Sequence, residues 1–160
     1  MLPASESVAS KNRAISSLTF PRLYVALALL QAVHSAEEYF TRFYERIREG
    51  SSLLHEVIPF VPVFEFSEKF FVTVNVVLIV TIMAFILLIY HGGLLARLQA
   101  TLLAIIEFVN GVAHLTIAVM MGGYFPGALT APFLIVVSVL LLRRTWTPNA
   151  PQPRVRAGHW

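Results

Sequence analysis

The sequence predicts an all-α, polytopic membrane protein, a bundle of four transmembrane helices with both termini in the cytoplasm. Of its 160 residues, 57% are apolar and 13% are charged, whereas soluble domains carry about 25% charged residues. The mean hydropathy is +0.72, and the apolar residues fall into four long stretches. A chain with so little charge cannot cover a globule in water, so we expect most of its side chains to face lipid or one another.

The predicted spans are residues 20–44, 70–90, 94–121 and 128–144 of one transmembrane domain, residues 20–144. Each approaches the length of about 20 helical residues that crosses a hydrocarbon layer. The polar leader 1–19 and the tail 145–160, which contains prolines and arginines, are expected to be disordered. The leader and first apolar run also resemble a secretory signal, but bulky His34 stands where a cleavage site needs a small residue.

The distribution of Lys and Arg predicts the orientation. The side that holds both termini and the loop between the second and third spans carries eight of these residues, and the opposite side carries four. Cytoplasmic segments carry the excess of Lys and Arg, so both termini are expected in the cytoplasm. The opposite side holds the long connection 45–68, where aromatic residues alternate with prolines. We expect this connection to lie at the membrane interface.

The composition excludes several kinds of site. The chain has no cysteine, so disulfides, thiolate metal sites and cysteine nucleophiles are excluded. All nine carboxylate side chains belong to glutamate, because aspartate is absent. The net charge of +3 comes from basic residues at span ends and in the tails. This pattern does not indicate nucleic-acid binding, which requires a basic patch on one face.

Three ionisable residues share one face of the first span. At 100° per residue, Glu37 lies about 60° to one side of His34 and Glu38 about 40° to the other. All three are therefore expected to point into the bundle together.

A second polar face lies on the third span, where Glu107, Asn110 and His114 fall within about 60° of one another. At 1.5 Å per residue from the basic residue that opens each span, both faces lie about 15–25 Å into the hydrocarbon layer. Spans one and three run in the same direction in an up-down bundle, so the two faces are expected to meet. Asn75 of the second span reaches the same layer.

Ionisable residues at this depth need partners or a ligand, because one charged residue at the bilayer centre costs about 2.5–3.5 kcal/mol. Carboxylate and imidazole groups suit Zn²⁺, Fe²⁺ or Mn²⁺. We therefore predict a divalent transition metal, zinc or iron, as cofactor. The candidate ligands are His34, Glu37, Glu38, Glu107 and His114. The candidate catalytic residues are Glu37, Glu38, Glu107 and Asn110, with Asn110 orienting a ligand or an oxyanion. A dinuclear centre would need one more ligand, for which His55 and Glu56 of the outer connection are candidates.

The residues also resemble a known family. His34-x-x-Glu37-Glu38, the later helix motif with Glu107 and His114, and the turn Tyr124-x-Pro-Gly are similar to the HXXEE family of small bacterial integral membrane proteins of unknown function. The resemblance covers nearly all of the chain except its tails. It implies a multi-pass protein of the bacterial inner membrane and supplies no reaction.

A second, partial resemblance concerns the segment Glu37-Glu38-x-x-x-Arg42, which is similar to the EExxxR motif of CAAX-type intramembrane proteases. In that family glutamate and histidine are thought to activate water. The later motifs of the family do not align, since Asn110 precedes His114 here.

Several functions remain open. The leading expectation is a metal-dependent, membrane-embedded enzyme, of hydrolase or oxidase type, acting on a membrane lipid or another lipophilic substrate. The alternatives are a metal-free acid–base lipid isomerase, a small proton-coupled transporter, and a polar network that only holds helices together. A homo-oligomer is also left open.

Overall fold

Five helices make up the described chain, which is residues 20–146 of this computed structural model. They are α1 (Phe20–Phe40), α2 (Phe43–Val57), α3 (Glu68–His91), α4 (Gly93–Met120) and α5 (Ala131–Thr145). The predicted all-α class is confirmed, with five helices in this range where four were expected. The expected disorder of residues 1–19 and of most of the tail lies outside the described residues.

A break after Phe40 separates the first predicted span into two helices. Arg42 adopts a left-handed conformation with φ 58°, which interrupts the helix before Tyr44, the predicted end of the span. The last turn of α1 stays hydrogen-bonded, because the Arg42 amide donates to the Tyr39 carbonyl at 3.1 Å. Arg42 also pairs with Glu45 at 2.7 Å on the surface. The break lets α2 leave the axis of α1.

Helix α2 occupies half of the connection 45–68, which was expected to lie at the membrane interface. It is amphipathic: Phe43, Ile47 and Ser51 are buried at four-residue intervals, while Arg48 and Glu49 face outward. The prolines of the connection fall after this helix, in the segment 58–67, which begins with a turn and has no helix, so they do not prevent α2 from forming. The apolar face of α2 therefore covers one end of the bundle.

Helices α3 and α4 form a long hairpin. The Ser67 side chain caps α3 by accepting from the Phe70 amide at 3.2 Å. Gly92 and Gly93, with φ 76° and 89°, make the tight turn into α4. Within the described range, α3 and α4 are the two helices long and apolar enough to cross a membrane.

Helix α5 packs closely against α4. Pro132 lies in its first turn, where a missing amide hydrogen costs nothing, and Arg143 and Arg144 lie in its last turn beside the helix carbonyls. Gly111 of α4 permits the close approach, because a Cβ there would lie 2.9 Å from the Ala131 carbonyl oxygen. The segment between the two helices, residues 121–130, folds back over the bundle.

Two apolar clusters with a polar layer between them organise the interior. One cluster joins α1, α3, α4 and α5 and includes Tyr24, whose hydroxyl donates to the Ile82 carbonyl at 3.2 Å. The other surrounds Phe43 and Phe125 near α2. The buried polar side chains of α1 and α4 lie between these clusters, so the fold holds them in a layer with apolar packing on both sides.

Candidate metal centre

Three buried side chains converge in the polar layer. His34 and Glu38 come from α1 and His114 comes from α4, with exposed fractions of 0%, 6% and 3%. Glu38 Oε1 lies 3.6 Å from His34 Nε2 and 3.2 Å from His114 Nε2. One ligand atom from each residue lies within 4.8 Å of the other two. These three residues are here called the trio.

The hydrogen bond of His114 sets the tautomer of its ring. Nδ1 lies 2.5 Å from the Pro126 carbonyl oxygen, which can only accept, so Nδ1 carries the hydrogen. In the neutral ring Nε2 then bears a lone pair, and Nε2 is the atom that faces Glu38. Phe43 and Phe125 contact the ring with centroids 5.3 and 5.8 Å away and restrict its rotation.

A hydroxyl group sets the tautomer of His34, as the Pro126 carbonyl does for His114. Its Nδ1 lies 2.6 Å from Thr130 Oγ1, and the Thr130 hydroxyl donates to Glu37 Oε2 at 2.6 Å. The hydroxyl has one hydrogen, so it accepts from His34 Nδ1–H. Asn110 Nδ2 lies 3.2 Å from His34 Nε2 and donates to its lone pair. In the neutral form of each ring, Nε2 is therefore the nitrogen without a hydrogen, and in both rings Nε2 faces Glu38 Oε1.

Glu37 points towards the segment between α4 and α5 instead of into the trio. It accepts from the Tyr124 hydroxyl at 2.7 Å and from the backbone amides of Leu129 and Thr130 at 3.1 and 2.9 Å. Together with the Thr130 hydroxyl, these donors occupy both carboxylate oxygens. Glu37 thus holds the segment 121–130 in place, and Thr130 of this segment orients His34.

Gly127 allows the same segment to lie against both rings. Its φ is +88°, and a Cβ at this position would lie 2.5 Å from His114 Nδ1 and 2.8 Å from His34 Cε1. Only glycine meets both the space and the backbone conformation. The turn predicted at Tyr124-x-Pro-Gly therefore closes over the trio.

Glu107 lies beside the trio in a separate pair. It is 1% exposed. With the side-chain amide of Gln31 oriented so that its nitrogen faces the carboxylate, Gln31 donates to Glu107 Oε2 at 2.6 Å. The neighbouring Ser35 hydroxyl donates to Asn75 Oδ1 at 2.6 Å. Asn75 of α3 thus reaches the layer that the sequence predicted for it.

The structure brings three of the five predicted ligands together and leaves two outside. His34, Glu38 and His114 form the trio, whereas Glu37 binds the segment 121–130 and Glu107 binds Gln31. The two further candidates of the outer connection, His55 and Glu56, are exposed on α2, and His55 Nδ1 bonds to the Val61 carbonyl at 2.7 Å. Neither of them joins the trio.

Two polar contacts were missed by the sequence reasoning. Gln31 lies three residues before His34, on the same helix face, and this spacing was the available signal. Thr130 lies in an irregular segment 96 residues from His34, and no local pattern marks it.

Comparison with known families gives one assignment. The model of the family described as "Protein of unknown function with HXXEE motif" matches residues 25–141, which include the trio. The chain belongs to the HXXEE family. The motif of this HXXEE protein reads His34-x-x-Glu37-Glu38: the first and last residues belong to the trio, and the middle glutamate holds Thr130. Comparisons with curated proteins and with solved structures give no match.

Proposed function

We propose that this HXXEE protein is a multi-pass membrane enzyme that binds one divalent transition metal, zinc or iron, at His34, Glu38 and His114 and acts on a lipid-soluble substrate. The observation that carries the proposal is the trio: two imidazole Nε2 atoms and one carboxylate oxygen converge in a buried layer.

The two spacings between Glu38 and the imidazoles suit a tetrahedral metal, whereas the three ligand atoms together lie within 4.8 Å of one another. Ligands placed about 2.0–2.1 Å from zinc at tetrahedral angles stand roughly 3.3 Å apart. The Glu38 oxygen lies 3.2 and 3.6 Å from the two imidazole nitrogens. Two histidines and one glutamate with a fourth position left open form a known catalytic zinc set.

The second nitrogen of each imidazole supports the same proposal. Metal-binding histidines almost always donate their other N–H to a carbonyl or carboxylate, which fixes the tautomer. Here His114 donates to the Pro126 carbonyl, and His34 donates to Thr130, which donates to Glu37. Both rings are thus held ready for a metal ion.

For the membrane arrangement, we propose that α1, α3, α4 and α5 cross the bilayer with both termini in the cytoplasm. Helix α1 has 21 residues, which gives a length of about 31 Å. Helix α5 is shorter, with 15 residues, and the segment 121–130 extends it at the outer end. The amphipathic α2 then lies at the outer interface, with its charged face towards water.

A bound metal would polarise a carbonyl or activate a water molecule, or supply redox chemistry if it is iron. Asn110 Nδ2 lies 3.2 Å from His34 Nε2, the atom that would bind the metal, so its amide is placed to hold a substrate oxygen beside the ion. Glu107, buried but outside the trio, is the nearest candidate for an acid–base group in the same layer.

Metal content tests the proposal. The protein is purified in detergent, loaded with Zn²⁺ or Fe²⁺, desalted, and measured by elemental analysis beside the variant His34→Ala/His114→Ala. We expect about one equivalent of metal per chain in the wild type and less than roughly a tenth in the variant, because the two imidazoles supply most of the binding free energy.

The matched control is His55→Ala/His91→Ala, which removes two exposed histidines and should keep the full metal content. A wild type that folds but retains no metal, or a control that loses metal equally, would contradict the proposal.

A second candidate, a metal-free acid–base lipid isomerase, is favoured by one observation. Hydrogen bonds of 2.6 Å join Glu37, Thr130 and His34, and Glu38 Oε1 lies 3.2 Å from His114 Nε2 and 3.6 Å from His34 Nε2. Carboxyl and imidazole groups, which are the usual acid–base groups of enzymes, therefore lie together. Activity on a lipid that survives chelation would support this candidate. Flux across proteoliposomes coupled to a pH gradient would instead support a proton-coupled transporter.

A further inference from the structure

A large groove runs between α3 and α4 and ends at the trio. Its volume is about 850 Å³, within the range of about 300–1,000 Å³ that is usual for small-molecule sites. Glu38 and Asn110 line its inner end, and both also contact His34. The groove and the candidate metal centre therefore share side chains.

The outer part of the groove is apolar and opens sideways. Phe70 and Val74 of α3 face Ile105 and Val109 of α4 across it. These side chains are also partly exposed on the outer surface of the hairpin, with exposed fractions of 52% for Phe70 and 59% for Val109. If α3 and α4 span the membrane as proposed, the opening faces the acyl chains of the bilayer. A lipid can then enter without crossing water.

The inner end of the groove carries acidic and amide groups. Glu38 and Glu107 are 6% and 1% exposed, and Gln31, Asn75 and Asn110 line the groove beside them. The lining contains no Lys, Arg or His within the described chain. Two carboxyl groups line the inner end, and the metal ion proposed at Glu38 would only balance their two negative charges, so no net positive charge there offsets the desolvation of a phosphate or a fatty-acid carboxylate. Amide and carboxyl groups instead suit a hydroxyl, which both donates and accepts a hydrogen bond.

We infer that the groove binds an uncharged lipid alcohol, with its chain between α3 and α4 and its hydroxyl group at Glu38, Glu107 and Asn110. The inference rests on the proposed function, because it names the substrate class of that site. It excludes phospholipids, lipid phosphates and free fatty acids as occupants.

Photo-crosslinking with competition tests the inference. A long-chain alcohol that carries a diazirine in its chain is irradiated with the protein in detergent, and labelled peptides are located by mass spectrometry. We expect labels on the residues of α3 and α4 that line the groove. The unlabelled alcohol should compete at a concentration about tenfold lower than the phosphate ester with the same chain, a difference of about 1.4 kcal/mol.

Two neighbouring positions of α4 provide a blocking variant and its control. Val109→Trp fills the groove, whereas Val112→Trp adds the same side chain at an exposed position that does not line it. Val109→Trp should abolish competable labelling and Val112→Trp should retain it. Glu107→Gln replaces a carboxyl group by an amide of the same size. The ratio between the competing concentrations of the phosphate ester and the alcohol should then be smaller than in the wild type.

Equal competition by the phosphate ester, or labels spread over the whole outer surface, would overturn the inference. The experiment is repeated on protein stripped of metal, with metal content measured in parallel. Selective labelling of a protein that takes up no metal when Zn²⁺ or Fe²⁺ is added back would contradict the proposed metal centre alone. Full metal occupancy without selective labelling would contradict the inference about the groove and leave the proposed metal centre intact.

Discussion

The orientation of His34 and His114 depends on oxygen atoms that lie outside the trio. The Pro126 carbonyl and the Thr130 hydroxyl each bind one Nδ1, so both Nε2 atoms are directed at Glu38. Without these contacts each ring could turn about its Cβ–Cγ bond or change tautomer, and the three ligand atoms would seldom converge. The convergence of the three ligand atoms therefore depends on Pro126 and Thr130 as well as on the trio itself.

Replacement of Thr130 by valine tests this dependence. Thr130→Val keeps the shape of the side chain and removes the hydroxyl that joins Glu37 to His34. We expect the affinity for Zn²⁺ to fall by about 10–100-fold, as for other groups that orient a metal ligand, as measured by calorimetric titration in detergent. The control Thr116→Val removes an exposed hydroxyl that donates to the Val112 carbonyl within its own helix and should leave the affinity unchanged. Equal affinities in the two variants would argue against the orienting role.

Helical arithmetic predicted part of this residue-scale picture. It placed His34 and Glu38 on one face, and Glu107 and His114 on another, and the side chains of α1 and α4 do meet. It could not separate Glu37 from Glu38, because both lie within about 60° of His34. Their different partners depend on the segment 121–130, which contacts Glu37 from about 90 residues away in sequence, and no helix period encodes such a contact.

At the scale of elements, the segment between α4 and α5 completes the site. It supplies Pro126 and Thr130 as partners of the two histidines, and Gly127 lets the backbone lie against both rings. The sequence predicted the turn but not its partners. The break at Arg42 was also missed, since a left-handed arginine has no marker in the sequence comparable to glycine.

Replacement of Gly127 by alanine tests the close approach of this segment. Gly127→Ala would bring a methyl group within 2.5 Å of the His114 ring at a backbone φ of +88°. We expect a loss of stability of about 1–3 kcal/mol, as for other overpacked sites, together with weaker metal binding. Thermal unfolding in detergent and metal titration would measure both effects.

The control for this variant is Gly123→Ala, four residues earlier in the same segment. A Cβ at Gly123 meets nothing within 4 Å, so stability and metal binding should match the wild type. If Gly127→Ala behaved like its control, the segment would not be packed against the trio as described.

At the scale of the whole molecule, a bundle this apolar tolerates buried glutamates because their hydrogen-bond partners lie in the same polar layer, as Gln31 does for Glu107. The hydropathy profile predicted the α3–α4 hairpin well, because long uninterrupted apolar runs have few alternatives to a spanning helix. It merged α1 with the start of α2, because the run from Phe20 to Tyr44 has no proline or glycine after Pro21 to mark the break.

The absence of cysteine from the sequence makes the proposed topology directly testable. A single cysteine is introduced at Glu56 on α2 or at His91 at the end of α3, both exposed positions. A maleimide that does not cross membranes should label Glu56→Cys in intact cells, and His91→Cys only after permeabilisation. The reverse pattern would invert the orientation, and labelling of both in intact cells would contradict a membrane span between the two positions.

The most direct test of the central claim is X-ray absorption at the zinc edge of the zinc-loaded protein in detergent. We expect a shell of nitrogen and oxygen at about 2.0–2.1 Å, with outer-shell scattering from two imidazole rings that disappears in His34→Ala/His114→Ala. A spectrum without imidazole scattering, or one that the double variant leaves unchanged, would contradict metal binding by the trio.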